Sequence, residues 1–323
     1  MLRENVYYSR HVSRARILSM PMLEFHNKGV KTRLFDLFKD KGFSLVDMAS
    51  GKAGDMQKWV QARYTRVLGM DINLDNLLNA KDGAYKRLYQ LNRRAKHRTD
   101  ILFVQKDVSE SWDDTSSIES EPMRDLYVAV TSKKVIGQTK AVRDSLARFK
   151  NALNERFDVV SCQFAIHYMF RSDVTLDTFC ANVDRVLKKG GYFIGTCLNG
   201  AYVEALMGDR ALVEGTTDDN TLWRVQRKFG DTERGARTTG RTVGVYLESI
   251  NQVLDEYLVD FELLKERLAP YGIREMDPED LAKLGIERSI GDFREWHSDE
   301  QFPMTSALKE YSFLNAWFVF KKY

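Results

Sequence analysis

The chain has 323 residues, of which 43% are hydrophobic and 29% charged. That apolar content supports a large core and excludes a disordered chain, and no apolar run approaches the roughly 20 residues of a membrane span. Lysine and arginine exceed aspartate and glutamate by only three, 49 against 46, which is too little to argue for a nucleic-acid partner by itself.

Residues 1–25 read as a basic, irregular segment with Arg3, Arg10, Arg14 and Arg16. The segment has no apolar stretch of the kind a signal peptide needs. A helical pattern follows, with Val30, Leu34, Leu37 and Phe38 on one face. Residues 44–49 read as a strand, 51–54 as a glycine turn and 55–63 as a helix. A second strand, 67–70, ends at Asp71. Residues 74–92 have helical spacing, and a third strand, 101–105, runs toward Asp107. An acidic, serine-rich loop is expected over 109–125, and a basic, partly helical stretch over 126–156. A fourth strand (157–162), a helix (176–187) and a fifth strand (192–197) complete an alternation that argues for a parallel α/β sheet. After Leu198 the pattern changes. Strands at 222–229 and 242–247 read as a ribbon within an insertion over 205–250. A helix is expected at 254–268, a short strand at 273–276 and a C-terminal strand at 312–321. The three cysteines, Cys162, Cys180 and Cys197, are widely spaced and lack a CxxC pattern. They predict neither a disulfide framework nor a metal site, and suit a reducing compartment.

The strongest local signal is Asp47-Met48-Ala49-Ser50-Gly51-Lys52-Ala53-Gly54-Asp55. A strand enters a small-residue turn and then a helix, so a ligand can approach backbone N–H groups. Asp71, 20 residues beyond Gly51, stands where a carboxylate grips ribose hydroxyls. Asp107, after the third strand, stands where an adenine amino group would lie. The turn is neither GxGxxG nor a phosphate loop, and acids at both its ends would repel a pyrophosphate. That favours S-adenosylmethionine over a dinucleotide. The competing reading of the turn is an ordinary strand-to-helix connection with capping aspartates.

A second signal is Ser161-Cys162-Gln163-Phe164-Ala165-Ile166-His167-Tyr168-Met169-Phe170, a buried strand opening into a polar and aromatic segment. Gln163 could hydrogen-bond the cofactor, and His167 and Tyr168 would face what lies above it. Asn27 and Lys31 share a helix face at i, i+4. Of the basic stretches, residues 93–98 read as a helix end stabilised by the helix dipole. Residues 224–241 read as the better candidate for contact with an RNA backbone.

Taken in order, HNxxxK, DMASGKAGDMxKW, GMDI, QKD, SCQFAIHYMF, GGYFIGT and EYLV resemble the mRNA cap guanine-N7 methyltransferases, over roughly residues 22–323. The His26-Asn27 start and the 82–87 segment look most like the capping enzymes of large DNA viruses. The resemblance implies a Rossmann-like class I methyltransferase fold: a mostly parallel, doubly wound sheet with a small β-rich insertion. It also implies a methyltransferase domain over 26–323, with the 205–250 insertion covering the cap and RNA site. The cofactor would be S-adenosylmethionine, released as S-adenosylhomocysteine, with no metal. Cofactor contacts would come from Lys31, Asp47, Ala49 (through its backbone), Gly51, Asp71, Asp107, Gln163 and Tyr168. Cap contacts would come from Asn27, Lys52, Lys58, Arg87, His167 and Glu256, with His167, Tyr168 and Glu256 closest to the chemistry. Arg87-Leu88 stands where the family has an Arg-Tyr pair. Asn315 stands at the family's cap-stacking Tyr, with Tyr311 and Trp317 nearby.

The partners implied are capped RNA, triphosphatase and guanylyltransferase units of a larger capping enzyme, and a stimulatory subunit, without a membrane. The location implied is host cytoplasm or virion for a viral chain, and nucleus for a cellular one. No KxDG guanylyltransferase motif is present, so the chain would be the methyltransferase part alone. Competing readings are a methyltransferase of another substrate and a non-catalytic RNA-binding subunit that keeps the fold.

Overall fold

The computed structural model describes residues 17–94, 98–132, 146–218 and 220–323. Most of the expected basic segment 1–25, residues 95–97 of the basic run and Lys133-Lys134 lie outside the described residues. Strands β1 (Ser44–Asp47), β2 (Arg66–Asp71), β3 (Asp100–Gln105), β4 (Phe157–Gln163) and β5 (Leu187–Leu198) form a parallel sheet in the order β3-β2-β1-β4-β5. Their near-continuous apolar runs suit strands buried on both faces. Each crossover carries a helix, among them Met56–Gln61, Ala84–Arg94 and Asp173–Val186. The last of these opens with a capping box formed by Ser172 and Thr175.

A second, antiparallel sheet follows in the order β6 (Leu212–Thr217), β7 (Asn220–Arg227), β8 (Thr242–Leu247) and β9 (Gln252–Tyr257). The large sheet is then completed by β10 (Ile273–Glu275), β11 (Ile290–Asp292) and β12 (Asn315–Lys322). β12 runs antiparallel to β5, and β10 and β11 pair with β12. The expected mostly parallel sheet with a small β-rich addition is what the chain forms. No helix of the described residues is long and apolar enough to cross a membrane.

Several expected boundaries move, each for a local reason. The ribbon at 222–229 and 242–247 is the central pair of four strands. The expected helix 254–268 is instead β9 followed by a helix over Phe261–Leu268. Asp260 sets that start by accepting a hydrogen bond from the Leu263 N–H. The expected helix 74–92 is two helices, Leu74–Leu78 and Ala84–Arg94. The Asn79 side chain accepts from the Lys81 and Asp82 N–H groups and turns the chain between them. The expected strand 312–321 begins only at Asn315, after a helix over Ser306–Ser312.

The two sheets are tied at several points. Arg241 is buried between Glu204 (2.8 Å) and Asp260 (3.9 Å). Trp223 of β7 donates its indole N–H to the Ala307 carbonyl. The Glu248 carboxylate accepts from Leu18 N, Ser19 N and Ser19 Oγ. It thereby fixes the start of the N-terminal helix, Met20–Glu24, against the small sheet.

At the centre of the large sheet, Gly195 of β5 leaves no room for a side chain. A Cβ there would lie 2.4 Å from the Cys162 carbonyl oxygen and 2.4 Å from Phe318 Cζ. Backbone cannot yield as a side chain can. Gly195→Ala is expected to lower the unfolding free energy by about 2 kcal/mol or more, read as a lower urea midpoint with an unchanged slope.

Candidate functional site

Strand order reverses between β1 and β4, which opens a crevice beyond the carboxyl ends of the strands. Asp47 closes β1, Asp71 closes β2, Gln105 closes β3 and Gln163 closes β4. The register sets Asp47 beside Gly69 and Ser161, and Asp71 beside Gln105. The structure therefore brings the expected strand-end residues to one edge.

In the turn after β1, Gly51 and Ala53 both take left-handed backbone (φ +52° and +55°). A Cβ at Gly51 or Gly54 would meet no atom within 4 Å, so the turn opens on free space. Gly51 N donates to Asp71 Oδ2 (2.7 Å), while Asp71 Oδ1 accepts from Asn73 N and Asn76 Nδ2. Burial raises the pKa of Asp71 against the pull of these three donors. Asp47 is 2% exposed and accepts a long bond from Ala49 N (3.4 Å). Burial, with the Asp55 carboxylate nearby, pushes its pKa up to about 8. Ser50 Oγ is buried with no partner among the described residues. Asp107 accepts from Ser109 N and Oγ in the turn after β3.

Asp55 does not cap its helix. It instead holds two ammonium groups, Lys31 on Oδ2 and Lys58 on Oδ1, each at 2.8 Å. Burial would raise the Asp55 pKa, but the two cations outweigh it and hold it below the usual value. Lys58, expected at the cap, thus shares Asp55 with Lys31, which was expected at the cofactor. Lys31 comes from a π-helical turn, Phe25–Lys31, within the N-terminal helix. Such turns recur at functional sites. In the same turn Asn27 donates Nδ2 to the Leu23 carbonyl. His26 stacks on Phe164 (centroids 5.6 Å, 18°), and Lys31 Nζ lies 5.8 Å from that ring. Phe164 itself has φ +55°, the sharp bend that ends β4. Gln163 is held on both sides, donating to Ser161 Oγ and accepting from Thr196 Oγ1.

The 3₁₀ turn Ile166–Arg171 carries His167 and Tyr168. β9 packs against it, and His167 Nδ1 lies 3.9 Å from Glu256 Oε2, too far for a hydrogen bond. His167 Nε2 is buried without a partner among the described residues. Burial lowers the His167 pKa to about 3 and raises that of Glu256 to about 7. The imidazole is therefore neutral at ordinary pH. Tyr168 is 47% exposed, and its ring centroid sits 4.0 Å from that of His167. A carboxyl group and an exposed ring thus lie on either side of His167.

Lys52 and Arg87 converge on Asp82: Lys52 Nζ on its carboxylate (2.7 Å) and Arg87 Nε on its carbonyl (2.9 Å). Asn315, Tyr311 and Trp317 are all buried. Asn315 donates to the Tyr311 and Ser312 carbonyls, Tyr311 packs on Trp223, and Trp317 stacks on Trp296. None of the three presents a face for stacking a base. The basic stretch 224–241 runs from β7 to β8. Its cations are paired within the chain: Arg224 with Glu214, Arg227 with Asp231, Lys228 with Asp255, Arg234 with Asp209 and Arg237 with Glu266. Three features had no clear signal in the sequence: the Asp55 clamp, the Asp82 node and the His26–Phe164 stack. Each joins segments far apart in the chain.

Residues 3–283 match the mRNA (guanine-N(7))-methyltransferase domain family. The chain is 24% identical over 270 residues to a probable mRNA-capping enzyme of Acanthamoeba polyphaga mimivirus, covering 81% of this chain and 21% of that protein. It is 28% identical over 256 residues to an mRNA cap guanine-N(7) methyltransferase of Cryptococcus neoformans, covering 78% and 30%. It is 22% identical over 252 residues to that of Saccharomyces cerevisiae, covering 76% and 49%. The chain thus spans less than half the length of each of these relatives.

Asp47 carries a prediction. The folded chain keeps a proton on Asp47 that the unfolded chain releases near pH 4, so stability falls as pH rises from about 4 to about 8. Asp47→Asn keeps the acceptor and removes this slope. Thermal melts should show the variant more stable than wild type at pH 8 and nearly equal at pH 4. Equal melting temperatures at both pH values would show that Asp47 ionises normally.

Proposed function

Because the chain belongs to the mRNA (guanine-N(7))-methyltransferase family, we propose that it transfers the methyl group of S-adenosylmethionine to N7 of the terminal guanine of GpppN-RNA. The observation that carries this reading is the placement of Glu256 from the small sheet 3.9 Å from His167, beside exposed Tyr168 and above the strand ends.

The cofactor end suits that ligand. Asp71 offers a carboxylate to ribose hydroxyls, and the acids Asp47 and Asp55 at the two ends of the turn disfavour a pyrophosphate. Lys31 has a carboxylate partner in Asp55 and could exchange it for the carboxylate of the ligand. Gln163, Asp107 and Tyr168 border the same crevice. When bound, S-adenosylmethionine supplies a methyl group already activated on a sulfonium; the N7–C bond forms as the C–S bond breaks, and no proton is lost from the purine. A general base is therefore not required, and placement of the reacting atoms does the work.

The remaining residues hold the base. Guanine presents N1–H and an amino group on its Watson–Crick edge, and ionised Glu256 accepts from them. Adenine has an unprotonated N1 and would leave that carboxylate unpaired. Tyr168 supplies a ring face, and neutral His167 supplies a buried nitrogen with no partner among the described residues. Asn27 lies on the π-helical turn at the same edge. Lys52 and Arg87 stand as a pair toward the triphosphate, and Lys58 acts through Asp55. The small sheet is the cover of the cap site. We further propose that triphosphatase and guanylyltransferase units precede this step, either in the same polypeptide or as partners.

The direct test incubates the chain with labelled S-adenosylmethionine and GpppA-RNA, with ApppA-RNA as control. Label in 7-methylguanosine from the first substrate alone is expected. Label in any other position, or equal label in both RNAs, would overturn the reading. Glu256→Ala should lower kcat/KM for capped RNA by about 100-fold or more and leave S-adenosylhomocysteine affinity nearly unchanged, while Asp71→Ala should weaken that affinity first. With a pKa of about 7, Glu256 is ionised only at higher pH. KM for the cap should therefore fall as pH rises through about 7, and Glu256→Gln should abolish that dependence.

A further inference from the structure

The helix Ala84–Arg94 has two faces with different tasks. Its inner face is fixed: Ala84 is buried, Tyr85 donates its hydroxyl to the Phe103 carbonyl (2.6 Å), and Leu88 and Leu91 pack on the core. The outer face carries Lys86, Tyr89, Arg93 and Arg94. Tyr89 is 57% exposed. Lys86 Nζ and the Arg93 guanidinium lie 5.9 and 5.8 Å from its ring. Among the described residues, no carboxylate lies within 4.0 Å of the Lys86, Arg93 or Arg94 cations. The contrast with residues 224–241, where acids on neighbouring strands and loops neutralise the cations, is sharp.

Charge that is not spent on the fold is available to a ligand. A spacing of 86, 89 and 93 sets two cations and an aromatic ring on one side of a helix. Cations beside an exposed ring are the elements of single-stranded nucleic-acid binding, in which phosphates pair with the cations and a base stacks on the ring. The position fits as well. The helix starts next to the Lys52–Asp82–Arg87 node and runs about 16 Å away from it.

We propose that the outer face of this helix, through Lys86, Tyr89, Arg93 and Arg94, binds the RNA chain that follows the cap triphosphate. The proposal rests on the reading of this chain as a cap methyltransferase. It assigns RNA contact to the edge of the large sheet, beside β3, and away from the small sheet.

The test measures fluorescence anisotropy of a short labelled single-stranded RNA carrying a GpppA cap, titrated with wild type, Lys86→Ala/Arg93→Ala/Arg94→Ala and Tyr89→Ala. Arg224→Ala serves as a control, and thermal melts check folding of each variant. RNA affinity should fall about tenfold or more in the triple variant and severalfold in Tyr89→Ala, with Arg224→Ala unchanged. The slope of log affinity against log salt should become shallower by about two in the triple variant, at roughly 0.7 per phosphate contact. Methylation of the GpppA dinucleotide is read in parallel and should not change. RNA affinity and salt slope equal to wild type in a folded triple variant would overturn the RNA surface, whatever the dinucleotide result. Failure of wild type to methylate GpppA, with RNA binding still lost in the variant, would instead overturn the catalytic reading and leave the surface in place.

Discussion

The contact between the 3₁₀ turn Ile166–Arg171 and strand β9 is the constraint on which the site depends. The parallel sheet by itself brings Asp47, Asp71 and Gln163 to one edge. The second sheet brings a further carboxyl group, Glu256 of β9, to 3.9 Å from His167. Burial shifts both partners of this contact toward their neutral forms. A neutral His167 offers no cation to Glu256, and the distance of 3.9 Å offers no hydrogen bond. In the proposed reading that carboxylate takes a donor from outside the chain, and guanine carries two on one edge.

The turn after β1 follows a related logic. Two acids, Asp47 and Asp55, are buried in one turn, and they are kept differently. Asp55 is satisfied by Lys31 and Lys58, while Asp47 holds its proton to about pH 8. A buried acid without a cation costs stability, and functional sites commonly carry such a cost. The clamp on Asp55 also joins the N-terminal helix to the turn after β1. The position of Lys31 is thereby set by a residue 24 positions later in the chain.

Much of this was legible in the sequence, and the boundary is physical. The order of β1 to β5 and the acids at their ends follow from local alternation of apolar strands, turns and helices, so Asp47, Gly51, Asp71 and Gln163 could be placed. The His167-Tyr168 pair was legible because it follows β4 directly. Glu256 could be matched by resemblance, but its segment was read as helix. Leu254, Tyr257 and Leu258 imitate helical spacing, and only the cap at Asp260 reveals where the helix begins. The basic stretch 224–241 looked available because its acidic partners, from Asp209 to Glu266, are scattered in sequence. Lys58 could not be assigned to Asp55 rather than to the cap, since composition and spacing carry no record of which cation a buried acid recruits. Asn315, Tyr311 and Trp317 lie near the family's stacking position, yet tertiary packing buries all three.

A structure of the chain with S-adenosylhomocysteine and GpppA bound tests the central claim most directly. The account predicts the guanine against Tyr168, its N1–H and amino group on Glu256, and its N7 turned toward the sulfur over the strand ends. A guanine seated elsewhere, or one with its Watson–Crick edge turned away from Glu256, would contradict it.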